Sequence, residues 1–333
     1  MSKVKFIIAL TCVLIMTTVS GCNRKIVLTS GFKEDEVVRM DKNSITAQEL
    51  MLYIMNDYSG IESMYGTGVL NNEAVGDGIA DDIKNSSLAR VYKVKVMCKI
   101  AAKYKVKLNE NERKLAKEAA KEYYEALNKE QVKLQFDISQ KDIENAYMEY
   151  ALAYKLYEHL AKDVDLEVSD DEARTVVVKV LTIRTGERTD AEAAGLANLA
   201  LNAFNAEVPC DDIIKEYSDG GVEEYEYMRD NLPENAADAV FNLAEGQHTE
   251  VIAGTDGYYI YYCVNPFSRV GTDKAKADII NERKDEAFYS VYNGFAEKET
   301  YYINEELWKS IEYDGEAGLS VNFFDIYGKY FGN

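Results

Sequence analysis

The chain of 333 residues is longer than one ordinary domain, and its 47% hydrophobic and 11% aromatic content is enough to fill two cores. A formal net charge of -20 opposes phosphate-backbone binding, which depends on cations that release counterions, so nucleic acid is excluded as a partner. Only three prolines and 20 glycines occur, while Lys, Glu, Ala and Leu abound, which favours long helices over a sandwich or a disordered tail.

At the N-terminus, Lys3 and Lys5 precede an apolar run from Phe6 to Met16, and small residues follow. That is the order of a secretory signal, in a run too short for an ordinary membrane-spanning helix. It ends Val19-Ser20-Gly21-Cys22, which resembles the lipobox of bacterial lipoproteins. The resemblance implies a signal peptide over residues 1–21, diacylglycerol on Cys22, and attachment to the extracytoplasmic face of the cell membrane. A plain secretory signal with a coincidental cysteine is the alternative. Two acyl chains hold a protein stably on a bilayer, whereas one holds it marginally. Residues 22–35 read as a polar tether. With Cys12 and Cys22 set aside, Cys98, Cys210 and Cys263 remain, without metal-type spacing. At most one disulfide can form among them; buried free thiols are the alternative.

Residues 36–168 read as a helical region. After a short extended piece and a polar turn at Asp41 to Asn43, Thr46 with Glu49 three residues on is a capping box, opening a helix to about Tyr58. The stretch from Tyr65 to Gly78, with Gly66, Gly68, Gly76 and Gly78, reads as a loop. Helices follow over 79–104, from Asn109 with Glu112 at its third helical position, and over 139–162. In the last, Ile143, Ala146, Tyr147, Tyr150, Tyr154 and Tyr157 share one face, which makes a core seam or an open peptide-binding surface.

Near residue 172 the period changes. "TVVVKVLTI" (175–183) is β-branched and apolar, a strand buried on both faces or nearly so. Thr189 with Glu192 caps a helix whose Leu196, Leu199, Ala200, Ala203 and Phe204 form one apolar face. There follow the short helix "CDDIIKEYS", a turn at Gly220-Gly221, a Tyr-rich extended piece, the helix "ENAADAVFNL", a short strand near Thr249 to Ile252, and the strand "GYYIYYC". The order is β-α-α-β-α-β-β, a compact unit over residues 172–268 that holds Pro209, Pro233 and Pro266. From Asp273 to about Trp308 the pattern is helical again, and the tail places Phe323, Phe324, Tyr327, Tyr330 and Phe331 on one helical face, read as docked core. The segment 273–333 is expected to pack on the 36–168 region.

A lipoprotein signal, a helical first region, an inserted βααβαββ unit and a returning helix resemble the PrsA/SurA type of extracytoplasmic foldase, which carries a parvulin (PpiC-type) peptidyl-prolyl isomerase domain. "VVVKVLTI" stands where parvulins have their first strand. "CDDIIKEYSDGG" is similar to their second helix and turn, and "LPENAADAVFNLAEGQHTEVIAGTDGYYIYYCV" to their last helix and hairpin. The resemblance implies an α+β fold: a mostly helical chaperone-like domain built from N- and C-terminal segments, with an inserted parvulin-like domain.

The departures from that pattern bear on activity. The two histidines of the parvulin site fall on Lys179 and Tyr259, and the position after "SD", usually Asp or Cys, is Gly220. The aromatic of the proline pocket falls on Asn235, or on Ala236 one register along, and the core phenylalanine of the second helix is Cys210. Prolyl isomerisation needs an apolar slot for the ring and an environment in which the C–N bond loses resonance, against a barrier of about 18–20 kcal/mol. Without the pocket aromatic, little selective transition-state stabilisation is left, so the unit is expected to be a weak or inactive isomerase.

No rival chemistry is visible in the sequence. His159 and His248 are far apart and suggest neither triad nor metal set, and "ADD" (80–82) and "SDDE" (169–172) lack the interrupted calcium-loop pattern and read as acidic turns. No cofactor or metal is implied. The expected function is a lipid-anchored folding factor that binds unfolded or partly folded secreted proteins in a groove between its two regions. Tyr225, Tyr227, Met228, Tyr259 and Tyr261 are candidate peptide contacts, because tyrosine offers amphipathic surface at low entropic cost. Two alternatives stand beside it: an active isomerase with an altered pocket, and a structural or assembly lipoprotein with one specific partner. Cys210 and Cys263, both core positions in the alignment, are a candidate disulfide pair that the sequence leaves open.

Overall fold

The structure is a computed structural model that describes residues 25–28, 31–40, 43–66, 76–130, 135–186, 188–313 and 321–332. The signal segment, Cys22, Asp41 and Lys42 of the polar turn, and Gly68 of the glycine-rich loop lie outside the described residues. The strands are β1 (Lys25–Leu28), β2 (Glu36–Met40), β3 (Asn43–Thr46), β4 (Thr175–Arg184), β5 (Glu224–Met228), β6 (Ile252–Ala253), β7 (Gly257–Asn265) and β8 (Tyr301–Asn304). The helices are α1 (Ala47–Tyr65), α2 (Gly76–Tyr104), α3 (Glu110–Glu130), α4 (Gln140–Leu160), α5 (Asp190–Asn205), α6 (Cys210–Tyr217), α7 (Glu234–Phe241), α8 (Arg269–Ala296), α9 (Glu305–Ser310) and α10 (Phe323–Phe331). The fold is α+β.

Two units are present: the described residues up to Asp163 together with those from Glu286 onward, and Val164–Asp285. In the first, α1 to α4 and α10 surround a core that includes Leu50, Tyr53, Ile100, Tyr123, Tyr147 and Phe323. Local chemistry starts these helices. Thr46 accepts from the Glu49 amide, Asn109 and Glu112 exchange backbone–side-chain bonds, and Ser139 with Asp142 forms a capping box. The aromatic stripe of α4 is a core seam. Tyr147 stacks on Phe323 of α10 with centroids 3.9 Å apart, and its hydroxyl donates to the Phe323 carbonyl at 2.9 Å. The apolar face of the tail is accordingly docked core.

Several expectations need correction in this unit. The first region is not purely helical, because β1, β8, β2 and β3 form a four-stranded sheet in that order. β1 runs parallel to β8, so residues 25–28 belong to a sheet rather than a tether. Ile26-Val27-Leu28 is a β-branched, apolar run too short to carry a period, which is why polar neighbours masked it. Likewise α1 extends to Tyr65, α2 begins at Gly76, and α8 ends at Ala296 ahead of β8. The "ADD" triplet lies inside α2, not in a turn. Only the part of the C-terminal segment from Glu286 belongs to the first unit.

The second unit contains an antiparallel sheet of order β5-β4-β7-β6. Thr189 and Glu192 form the capping box of α5. The β4–β7 ladder ends where a Cβ on Gly257 would lie 2.2 Å from the Ile183 carbonyl oxygen, so that hairpin corner requires glycine. The "SDDE" turn is held by ion pairs: Asp170 meets Arg269 and Lys276, and Glu172 meets Arg283 at 2.5 Å. Thr249 to Ile252 is not a continuous strand. His248 makes an isolated bridge to Tyr262, and only Ile252–Ala253 pairs as β6. Cys98, Cys210 and Cys263 are all free, so the candidate disulfide is absent.

Candidate functional site

Strand alternation gives the sheet of the second unit two unlike faces. On one, Leu181, Ile183 and Ile260 lie under α5 and α6, packed with Ala193, Ala197, Ala200, Phe204, Ile213 and Ile214. On the other, Val176, Val178, Val180 and Tyr261 lie under α7, packed with Ala236, Ala237, Val240 and Phe241.

Register decides which candidate residues meet. Tyr225 sits opposite Val178 and Tyr227 opposite Val176, while Tyr261 faces Val180 and Tyr259 faces Thr182. All four tyrosines are therefore on the α7 face. The Tyr225 and Tyr227 rings stack with centroids 6.2 Å apart. In this interrupted tyrosine row, the Tyr225–Tyr227 pair on β5 and the Tyr261–Tyr259 pair on β7 flank Val176, Val178 and Val180 of β4 on the same face. Tyr261 is buried, Tyr227 and Tyr259 are half-buried, and Tyr225 is 38% exposed. Met228 does not join them. It pairs with Thr175, one residue out of phase with Tyr225 and Tyr227.

The hydroxyls at the two ends of the row are tied to carboxylates. Tyr259 donates to Asp256 Oδ1 at 2.5 Å and Tyr225 to Glu223 Oε2 at 3.1 Å. The bond to Asp256, followed by burial, pushes Tyr259 up to about 12. The bond to Glu223 raises Tyr225, and burial raises Tyr227 and Tyr261. All four stay protonated near neutral pH, and the Tyr225 and Tyr259 protons are committed to these carboxylates. Asp256 and Glu223 were not picked out from the sequence. The available signal was Asp256 beside the Gly257 corner, three residues before Tyr259.

The residues aligned with the parvulin histidines are not neighbours. Lys179 pairs across the sheet with Glu224 and Tyr262, on the α5/α6 face, opposite to that of Tyr259. Its Nζ donates to Asp211 Oδ1 at 2.7 Å, a bond that raises the lysine. On the face of Tyr259, β4 carries Val178 and Val180. Gly220 lies in the turn after α6, its amide donating to Ser218 Oγ at 3.0 Å. Asn235 is exposed and ties α7 to β6 through the Ala253 carbonyl at 2.9 Å. Ala236, fully buried, is the residue that enters the α7-face cluster, so a methyl stands where a pocket aromatic was sought.

Other reactive groups are placed for packing. Burial pushes the Cys210 thiol up to about 11 and Cys98 up to about 12, which leaves both as poor nucleophiles. His248 is half-buried: its Nδ1 lies 2.9 Å from the Thr249 carbonyl and its ring packs on Phe204. His159 meets Tyr104 edge-on at the end of α4. Among the described residues no group of His, Cys, Asp or Glu could hold a metal ion, and no helix is long and apolar enough to cross a membrane.

The arrangement defines a two-unit α+β protein whose second unit presents a row of tyrosine donors on one face of a four-stranded antiparallel sheet. No family model matches the chain, and no curated protein matches it. Solved structures similar to it are PrsA- and SurA-like foldases. They include the PrsA peptidylprolyl isomerase of Bacillus cereus, at 15% identity over 89% of this chain and 98% of that one, with a TM-score of 0.33. The foldase PrsA of Streptococcus pneumoniae is 16% identical over 89% and 99%, with a TM-score of 0.31. A SurA-like chaperone of Campylobacter jejuni is 12% identical over 80% and 98%, with a TM-score of 0.29.

Proposed function

We propose that the protein is a lipid-anchored extracytoplasmic folding factor that binds unfolded or partly folded secreted polypeptides, and that its parvulin-like unit is weak or inactive as an isomerase. The observation that carries this reading is the tyrosine row. Tyr225, which is exposed, and the half-buried Tyr227 and Tyr259 offer aromatic surface to apolar side chains of many sequences, around a Tyr261 that is buried beneath α7. The same face lacks the means to accelerate isomerisation. Ala236 cannot wall a proline slot, and Lys179 is turned to the other side of the sheet.

Two assays on the full chain test the reading. In a proline-limited peptide assay the rate should equal the uncatalysed one; a clear acceleration refutes the inactive unit. In light scattering, the protein should suppress aggregation of several unrelated unfolded proteins, and Tyr227→Ala with Tyr259→Ala should weaken that suppression several-fold. Unchanged suppression by the double variant removes the row from the function.

A further inference from the structure

The sheet of the second unit has an open edge. β5 is the outer strand in the order β5-β4-β7-β6, and Glu224, Tyr225 and Glu226 are exposed along it. The hydrogen bonds of the inner strands fix which of its backbone groups are free. In β7, the Tyr261 and Cys263 backbone groups bond to Thr249 and Gln247, away from β4. Ile260 and Tyr262 therefore bond to their partners Leu181 and Lys179, which leaves Val176, Val178 and Val180 to bond on the β5 side. Thr182 follows the same phase, its N–H and C=O meeting Ser218 and Asp219 in the chain that leads into β5. Tyr225 and Tyr227, opposite Val178 and Val176, are then the β5 residues whose backbone is used in the ladder. The N–H and C=O of Glu224 and Glu226 point outward, and among the described residues no other backbone group bonds to them.

We propose that an extended polypeptide segment adds to this edge as a further antiparallel strand, with cationic side chains opposite Glu224 and Glu226 and apolar ones at the alternate positions; the proposal rests on the peptide-binding reading above. Main-chain bonds supply the affinity and alternate side chains the selectivity. Glu224 and Glu226 stand about 7 Å apart on one face of β5, and a partner strand repeats that spacing, so lysine or arginine at every second position meets both. The positions between them lie beside the exposed Tyr225 and the half-buried Tyr227 on the other face. Little positive charge offsets the two glutamates. Lys179 comes within 4.0 Å of Glu224 while bonding to Asp211 at 2.7 Å, and Glu226, resting against Gly271 in the first turn of α8, has no ion-pair partner among the described residues. The same glutamates disfavour a second copy of this chain as the occupant, because two antiparallel β5 strands centred on Glu226 set like charges opposite one another.

Two labelled peptides of seven residues, alternating valine with either lysine or glutamate, test the charge, and two N-methylated forms of the lysine peptide test the strand pairing. In fluorescence anisotropy on the full chain, the lysine peptide should bind about tenfold tighter than the glutamate peptide at low salt, with the gap narrowing as salt is raised. Methylation of the lysine amides, which face β5, should weaken binding about tenfold, and methylation of the valine amides should leave it unchanged. Glu226→Pro removes an outward N–H without removing a ladder bond, and it should also weaken the lysine peptide about tenfold. Amide exchange followed by NMR should slow at Glu224 and Glu226 when the lysine peptide is added. Equal loss from both methylation patterns, or unchanged binding by Glu226→Pro, overturns strand addition; aggregation suppression that persists in that variant leaves the peptide-binding reading intact. Equal affinity for the lysine and glutamate peptides overturns the charge selection. Protection of the two amides in the free chain that grows with protein concentration gives the edge to a second copy and overturns the proposal. Absence of both peptide binding and aggregation suppression overturns this proposal and the reading beneath it.

Discussion

Glu49 is a buried carboxyl whose removal has a calculable, pH-dependent effect. It projects from α1 to Lys95 of α2, whose Nζ lies 2.9 Å from Glu49 and 2.6 Å from Glu149 of α4. One ammonium thus serves two carboxyls inside the first unit. Burial dominates, opposed by the attraction of Lys95 and reinforced by Glu149, and it pushes Glu49 from 4.5 up to about 8. A folded value above the unfolded one means that the stabilisation is complete below 4.5 and is lost as pH rises through 8. Between those limits the unfolded chain has released the proton and the folded one has not, so each pH unit costs about 1.4 kcal/mol. From pH 5 to pH 7 the loss is about 3 kcal/mol, a large share of the stability of a unit this size. Glu49→Gln keeps a neutral hydrogen-bonding side chain and removes the titration. The chain has a single tryptophan, Trp308 in α9, so its fluorescence reports the first unit during denaturant unfolding. The variant and the parent should be about equally stable at pH 5, with the variant ahead by about 3 kcal/mol at pH 7. A difference that stays flat from pH 5 to pH 8 refutes a protonated Glu49.

Four further outcomes are expected, three from the geometry and one, at Cys22, from the proposed lipid anchor. Lys179→His with Tyr259→His should yield no isomerase activity and no imidazole–imidazole hydrogen bond by nitrogen-15 NMR, because those side chains leave opposite faces of the sheet. Thr182→His with Tyr259→His puts both rings on one face, where NMR should detect their coupling. Cys22→Ala should abolish metabolic labelling with fatty acid and release the protein from membranes in fractionation. Tyr53→Phe should stabilise the first unit by about 1 kcal/mol in the Trp308 assay, since the buried Tyr53 hydroxyl has no hydrogen-bond partner among the described residues.

What the sequence made legible follows from period and caps. The helices announced themselves through Thr46, Asn109, Ser139 and Thr189, each with an acidic residue three positions on, and the structure keeps all four starts. The alternation in β7 was also readable, with Tyr259 and Tyr261 on one face and Tyr258 and Ile260 on the other. The sheet of the first unit was not readable. Its strands of four or five residues are too short for a period of two to stand out, and β1 finds its partner β8 more than 270 residues along the chain. Pairing at that distance leaves no local mark.

That Lys179 and Tyr259 lie on opposite faces was not legible either, for a more specific reason. In "TVVVKVLTI" nearly every residue is apolar because both faces are covered, by α5 and α6 on one side and by α7 on the other. Continuous burial erases the alternation that would tell one face from the other, and a shift of one residue then exchanges the faces. In addition, the ladder with β7 shifts between Val177 and Val178, so counting back from the strand's end inverts the assignment. Lys179 is the only charged residue in the run. It bonds to Asp211 at the first turn of α6, which anchors that helix to the sheet. With Lys179 thus bonded on the other face, the α7 face is built from valine, alanine, Leu232, Phe241 and tyrosine, and continuous burial there leaves no charged side chain in the cluster.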